Sequence, residues 1–481
     1  MVRQVVGIHG LMQLTRNIYM LFVKGPHREV LNNIYREIAY YISDNRKLLG
    51  LITIDTIDHD FSFAVFKRHG GCWKPINFKM DFPSEDKAAN ALQKEIDNCK
   101  DTDDDTTVNN GLDLFGIPTV TKKEESPIYA MLRDTAFLSS AKAVIEEISP
   151  YIVDRDGNFE NQFQSKNGFD ARIWELYLTC FLREENFNLI GDYDAPDFVV
   201  EKLNEKVAIE ATIVGRKNNG LADAVAGNID KIFERLDNEV PLKFGSALYS
   251  KLTHEYHNKK YWELPHVKGL PFVIAIEDFH EDLSMTWTFP GIISILYGIV
   301  QSIENENGEL VLKTQNGRFF DKGSKHIVPL FLDKSFENIS AVIFSATGTL
   351  SKFNRMGKQA GLGDDNIHLL QTKCCYNDSD NAIFPNFEGV LIDEHCHEKW
   401  SDGVSIFHNP LALHPLDQSL FPDVAHHFYH DGQLYSSMPK NFCMSSMVWN
   451  IKTDGENDIQ DFVMRSKARF DSVTRQWNAM S

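Results

Sequence analysis

The chain has 481 residues, of which 43% are hydrophobic and 11% aromatic, and it carries a formal net charge of -19 at pH 7. This length predicts two or three domains, and the apolar content excludes an intrinsically disordered chain. The acidic balance opposes a protein coated with basic surface for nucleic acid. A local basic groove and bound cations can nevertheless offset that charge near a site.

Apolar segments and cysteines bear on location. No apolar run of about 18 residues or more occurs, and the start has no charged segment followed by an apolar stretch, so neither a membrane span nor a secretory signal is predicted. The seven cysteines form no Cys-x-x-Cys pair and are odd in number. A reducing environment suits this pattern better than a disulfide framework, so we expect a cytoplasmic protein with no membrane partner.

Residues 1–110 predict an α+β N-terminal domain. Alternating apolar and β-branched residues predict strands at 49–55, 61–67 and 73–78. Ser84 precedes a helical pattern of apolar residues and is a candidate N-cap. The acidic run at 101–107 indicates a solvated linker, because the oxygen spacing of a calcium loop is missing.

Residues 128–300 predict a compact α/β unit. Helical patterns cover 128–148, 170–185, 221–238 and 244–262, and an apolar run at 271–277 is typical of a buried strand. The remaining part, 301–481, reads as a loop-rich region with a concentration of histidines. Within it, a hydroxyl-rich segment at 345–352 lacks phosphate-loop spacing. Lys352, Arg355 and Lys358 recur beside it at helical spacing and predict either a solvated face or contact with nucleic-acid backbone.

Three carboxylates stand in unusually apolar surroundings. Glu175 lies in a helix that is apolar almost all round, where an ionised group needs a cation or donor, although Arg172 and Thr179 could form one solvated stripe with it. Asp197 follows Pro196 at the start of a strand-like run, which is also common turn chemistry. Glu210 sits in a strand of apolar and β-branched residues, so we expect it to be inside the protein and protonated, paired or metal-bound.

The order helix with Glu, then Pro-Asp, then Glu-x-Thr on a strand, then a helix and a buried strand resembles the PD-(D/E)XK nuclease superfamily over residues 165–280. Segments 169–177 and 246–252 also resemble uncharacterised bacterial proteins of similar layout. The resemblance implies a restriction-endonuclease-like core, in which helices flank a mixed central sheet. It also implies that Glu175, Asp197 and Glu210 are the acids of the site, with Asp197 and Glu210 binding Mg²⁺, for which Mn²⁺ can substitute.

One position departs from the superfamily pattern. The third motif usually ends in Lys, and Thr212 stands there. We expect the missing cation to come from the following helix, where Lys251 flanks the apolar stripe, and Lys231 and Lys260 are the alternatives. Should none of them reach the site, the domain would be an inactive nuclease that only binds.

The resemblance implies a Mg²⁺-dependent endonuclease that hydrolyses phosphodiester bonds of nucleic acid, with DNA expected and RNA the alternative. Bacterial proteins with such cores often serve in restriction or anti-phage defence, and this role rests on the resemblance alone. Sequence specificity, a partner protein from a defence system and assembly into a homo-oligomer stay open. The histidines between His395 and His430 are either structural and surface groups or the ligands of a zinc-dependent hydrolase, which is a third reading. His426 and His430 share one face if that segment is helical.

Overall fold

The protein is described from a computed structural model, which covers residues 11–14, 19, 35–69, 72–99, 111–152, 154, 157–191, 193–216, 229–306, 309–379, 382, 384–453 and 465. The acidic run at 101–107 and the first half of the expected 221–238 helix lie outside the described residues.

The described part forms helices and strands of ordinary length. The helices are α1 Glu85–Asn98, α2 Pro127–Asp134, α3 Ser139–Ile148, α4 Phe159–Gln164, α5 Phe169–Glu184, α6 Ile229–Asp237, α7 Glu239–Thr253, α8 Phe289–Tyr297 and α9 Leu350–Gln359. The strands are β1 Leu11–Leu14, β2 Tyr35–Ser43, β3 Leu48–Asp55, β4 Phe61–His69, β5 Cys72–Phe82, β6 Asn188–Ile190, β7 Phe198–Lys202, β8 Glu205–Val214, β9 Phe272–Asp278, β10 Val300–Glu306, β11 Glu309–Gln315, β12 Phe320–Lys322, β13 Lys325–Ile327, β14 Ala341–Ser345, β15 Ile367–Cys375, β16 Asn386–Ile392, β17 Val404–His408, β18 Ala425–His430, β19 Gln433–Ser437 and β20 Cys443–Lys452.

The N-terminal region is an antiparallel sheet with strand order β1-β2-β3-β4-β5 and with α1 packed on it. Ser84 caps α1 by accepting a hydrogen bond from the Lys87 amide, which confirms the predicted helix start. Arg68 of β4 forms a salt bridge with Glu147 of α3, at 2.6 Å, and this joins the small sheet to the following helices. The three predicted strands are confirmed as β3, β4 and β5.

The centre of the molecule is an eight-stranded mixed sheet in the order β19-β18-β17-β14-β9-β8-β7-β6. Neighbours β8, β9 and β14 run parallel, whereas β6, β7 and β8 pair antiparallel. Strand β9 is buried at every position, as its apolar run predicted. The expected mixed central sheet flanked by helices is therefore present as a general architecture.

The two faces of this sheet have separate cores. Ile209 and Ala211 of β8 pack with α5 on one face. Ala208 of the same strand belongs to the other core, with Phe244 and Leu248 of α7. The two-residue alternation of a strand sends successive side chains to opposite faces, so it determines which helix each residue of β8 meets.

The helix expected at 244–262 has other bounds. It begins at Glu239 and ends at Thr253, with Pro241 tolerated in the first turn. It ends because His254 takes an extended conformation, with φ -62° and ψ 144°. His257 and Asn258 then take positive φ values of 51° and 60° in a tight turn. Residues Tyr261–Glu263 then form a separate short 3-10 turn.

The prediction that residues 301–481 are rich in loops is wrong. It contains strands β11 to β20 and helix α9, and β14, β17, β18 and β19 complete the central sheet. The sheet therefore extends across the expected boundary at residue 301. These strands pair with strands that are distant in the sequence, so the turn residues between them predicted loops and gave no sign of the sheet.

Two of the three basic residues beside the 345–352 segment, Lys352 and Arg355, differ from both expectations. Lys352 and Arg355 of α9 are 0% and 1% exposed, and both bind Glu398, with Lys352 Nζ at 2.8 Å from its carboxylate. Burial of the two cations against this one carboxylate removes them from solvent and from any nucleic-acid backbone.

None of the helices that the structure describes combines the length and apolar character needed to cross a membrane.

Candidate active site

Helix α5 presents one polar stripe to a cavity of about 470 Å³. The stripe consists of Arg172, Glu175, Thr179 and Arg183, which the helical period of 3.6 residues puts on one side. The opposite side is anchored to the sheet, where the Trp174 indole donates a 3.1 Å hydrogen bond to a backbone carbonyl of β9. The helix is thus fixed with its carboxylate towards the cavity.

The ion pair between Glu175 and Arg172, which was the alternative interpretation of this helix, is also present. Arg172 Nη1 donates to Glu175 Oε2 at 2.6 Å, and the two side chains are 13% and 19% exposed. Both line the cavity, so the stripe faces a recess and not open solvent. Pairing with Arg172 and a position in the site therefore coexist.

Asp197 lies between the other two acids, at the start of β7. Its carboxylate accepts a 2.7 Å hydrogen bond from the Ala211 amide, and its own amide donates to Glu210 Oε2 at 3.2 Å. The pairing of Phe198 with Ile209 across β7 and β8 sets this register. Asp197 also lines the cavity beside α5.

Glu210 is 4% exposed and is surrounded by donors. Lys251 Nζ of α7 lies 2.6 Å from Glu210 Oε1, and the Tyr261 hydroxyl donates to the same oxygen at 2.7 Å. Because side chains alternate along a strand, Glu210 shares a face of β8 with Ala208, and that face is the one covered by α7. Lys251 is therefore the lysine that reaches the acids.

The two alternative lysines lie elsewhere. Lys231 is exposed on α6. Lys260 pairs with Glu255 at 3.1 Å and donates to the Thr253 carbonyl at 2.6 Å. Neither contact involves the three acids.

Burial and mutual repulsion perturb the titration of this group. Burial, followed by the charge of Asp197, raises the pKa of Glu175 to about 7. Burial, followed by the charge of Glu210, raises the pKa of Asp197 to about 7. Burial alone would lower the pKa of Lys251, but Glu210 and Asp197 outweigh it and raise that pKa. Glu175 and Asp197 are therefore partly protonated near neutral pH, while Lys251 stays charged.

The donor chemistry of the site fits a hard divalent cation. Carboxylate oxygens are the ligands Mg²⁺ prefers. Burial first, and repulsion from a neighbouring carboxylate second, raise the pKa values of Glu175 and Asp197, and a bound cation would offset both effects. Both oxygens of Glu210 already accept hydrogen bonds, from Lys251, Tyr261 and the Asp197 amide. Within the described ranges, no group of three or more His, Cys, Asp or Glu side chains is arranged to hold a metal. Oε1 of Glu210 accepts two of these hydrogen bonds and Oε2 accepts one, so Oε2 is the atom with a lone pair left for a cation.

The histidine region is built differently from a zinc site. His426 and His430 lie on strand β18 and not on a helix, with His426 buried and His430 exposed. His408 Nε2 lies 2.9 Å from His426 Nδ1, and His426 Nε2 lies 2.9 Å from a backbone carbonyl. Burial, followed by His426, lowers the pKa of His408 to about 3, so it is neutral at pH 7. These side chains are structural groups of the central sheet.

Sequence reasoning missed Tyr261 and Arg183. Tyr261 is 51 residues from Glu210 along the chain and carries no local motif, and the only general cue is that a buried Glu needs donors. Arg183 had a findable signal, because it falls on the same helical stripe as Glu175 and Thr179.

Comparison of the chain with family models, with curated proteins and with solved structures finds no match.

Proposed function

We propose that this chain is a Mg²⁺-dependent nuclease that hydrolyses phosphodiester bonds, with Glu175, Asp197, Glu210 and Lys251 as its catalytic group. The observation that carries the proposal is the contact of Lys251 with Glu210, at 2.6 Å, next to Asp197 and a cavity. Lys251 of α7 supplies the positive charge that the superfamily pattern expects from a lysine at the position of Thr212. The proposal includes the restriction-endonuclease-like core, and it is supported by the order α5-β7-β8-α7-β9 around a mixed sheet.

Asp197 and Glu210 would hold the Mg²⁺ ion, which when bound supplies positive charge to activate water and to neutralise phosphate oxygens. Lys251 donates from the α7 side and stabilises the negative charge that develops on the phosphate in the transition state. Glu175 has a pKa of about 7, close to the value at which a carboxylate can both accept and return a proton at neutral pH. We therefore propose Glu175 as the base that takes the proton of the attacking water.

DNA is the proposed substrate and RNA the alternative. A role in bacterial restriction or anti-phage defence, with or without a partner protein, is part of the proposal and rests on the sequence resemblance.

The deciding experiment incubates plasmid, linear DNA and RNA with the protein and Mg²⁺ or Mn²⁺. We expect cleavage by the wild type and its loss in Glu210→Gln, which removes a charge and keeps the shape. The matched control is Glu201→Gln on the neighbouring strand β7, where Glu201 is 33% exposed and 3.9 Å from Lys206. Equal cleavage by wild type and Glu210→Gln, or none by the wild type on any substrate, would refute the proposal.

A second candidate is a binding protein on the same core that does not catalyse. It is favoured by the three hydrogen bonds that Glu210 already accepts, from Lys251, Tyr261 and the Asp197 amide. Calorimetric titration with Mn²⁺ separates the two, because the enzyme should bind the ion with an affinity that Asp197→Asn abolishes. A protein that binds nucleic acid but no Mn²⁺ would match the second candidate.

A further inference from the structure

Arg183 is an unusual cation in this cavity. Its Nη2 donates a 3.1 Å hydrogen bond to the Tyr151 carbonyl, and its guanidinium lies 5.8 Å from the centre of the Tyr151 ring. In the part of the chain that the structure describes, no carboxylate forms an ion pair with it, whereas Arg172 on the same stripe binds Glu175. Burial lowers the pKa of Arg183, and the groups that oppose this shift are Cys180, Tyr151 and Cys72, not a carboxylate. A half-buried guanidinium that has no carboxylate partner keeps donors with which it can bind an anion.

Helix α5 sets the separation between Arg183 and Glu175. Arg183 follows Glu175 by eight residues on α5, a rise of about 12 Å at 1.5 Å per residue. Both side chains line the same cavity. A stacked strand advances about 3.4 Å per nucleotide, so this distance spans about three or four stacked nucleotides, and fewer if the strand is extended.

The walls between these ends suit one strand. The cavity of about 470 Å³ is in the range of small-ligand pockets and is far too small for a duplex. Leu176, Leu189 and Phe198 give it apolar walls, and Tyr256 adds an aromatic side chain. Asp154 and Asp194 also line it, so Arg183 is the cation that would hold a phosphate against these acids. Apolar and aromatic walls together with arginine are the combination that binds unpaired bases and their phosphates.

We propose that Arg183 binds a backbone phosphate of single-stranded nucleic acid, away from the cleaved bond, and that this cavity selects a single strand over a duplex. The inference rests on the proposed function for the position of the cleaved bond, but binding itself does not need cleavage. Arg172 stays with Glu175, and Arg183 provides the anion contact. Because Glu175 and Asp197 lie inside the recess, a duplex would have to open before its phosphate reached them.

Binding is measured first, in EDTA so that no metal-dependent cleavage occurs. Fluorescence anisotropy compares a short labelled oligothymidylate with a duplex of equal length. We expect the wild type to prefer the single strand, and Arg183→Gln to weaken that binding roughly 10- to 100-fold, as loss of a charged hydrogen bond does. The slope of log affinity against log salt should fall by about 0.7, the value for one phosphate contact of a single strand. Arg36→Gln, an exposed arginine on β2, is the matched control and should bind as the wild type does.

Equal affinity of wild type and Arg183→Gln for the single strand, or a preference of the wild type for the duplex, would overturn the inference. If Arg183→Gln does not fold, Leu189→Trp tests the same cavity by filling it from the edge strand β6. That variant should lose single-strand binding, and unchanged binding would again overturn the inference.

Cleavage kinetics with Mg²⁺ distinguish this inference from the proposed function. Arg183→Gln should raise KM for single strands while kcat changes little, because the contact is remote from the cleaved bond. Arg183-dependent binding without any cleavage would leave the inference standing and refute the nuclease. Cleavage with a KM that is independent of Arg183 would do the reverse.

Discussion

Replacement of Lys251 by Met tests the account of the site most directly. The change keeps the apolar stem of the side chain and removes the ammonium that lies 2.6 Å from Glu210 Oε1. If Lys251 stabilises charge in the transition state, cleavage should slow about 10²- to 10⁴-fold.

The same change should also lower stability, and the structure sets the size. The side chains of Lys251 and Glu210 are 25% and 5% exposed, so the pair lies between the surface and the interior. Exposed pairs contribute about 0.2–1 kcal/mol, and breaking a buried pair costs about 3–5 kcal/mol. We expect Lys251→Met to lower the free energy of unfolding by about 2 kcal/mol at pH 7.5 without metal.

Urea denaturation and plasmid cleavage measure the two effects on the same preparations. Lys243→Met is the matched control, because Lys243 is on the same helix and pairs with Glu239 at 2.8 Å, outside the acid group. The double variant Lys251→Met/Glu210→Gln should regain most of the lost stability and no activity, because it removes the uncompensated charge. Wild-type cleavage by Lys251→Met would refute the assigned role. An unfolding free energy equal to that of the wild type would refute the argument about the buried pair.

Two further predictions concern buried charge. The raised pKa values of Glu175 and Asp197 mean that the folded state binds protons more tightly than the unfolded state does, so stability without metal should fall as pH rises from about 4 to about 7. Melting temperatures in EDTA measure this decline, and Asp197→Asn should make it smaller. A decline of the same size in Asp197→Asn and wild type would contradict the prediction. Glu398→Gln should lower the free energy of unfolding by about 3–5 kcal/mol, because it leaves two buried cations without their carboxylate. The exposed Glu394→Gln serves as its control in urea denaturation, and equal stability of the two variants would contradict the buried network.

Much of the local structure followed from sequence pattern because its causes are local. The predicted strands at 49–55 and 61–67 form, and Ser84 caps the helix that follows them. The alternation of β8 determined that Glu210 shares a face with Ala208, since a strand has a period of two residues. The apolar surroundings of Glu175 likewise predicted a helix buried on most sides.

Tertiary structure decided which partners those residues meet. Lys251 was one of three candidates, and only the packing of α7 against β8 brought it to Glu210, because helix pattern fixes a face but not the strand beneath it. The residues after 301 joined the central sheet through pairs such as β14 with β9, whose hydrogen bonds link residues far apart in the sequence. Lys352 read as a solvated cation because its carboxylate partner, Glu398, is 46 residues away. The residues next to a charged side chain do not show which distant residue it will pair with. The burial of Lys352 therefore depended on the tertiary structure.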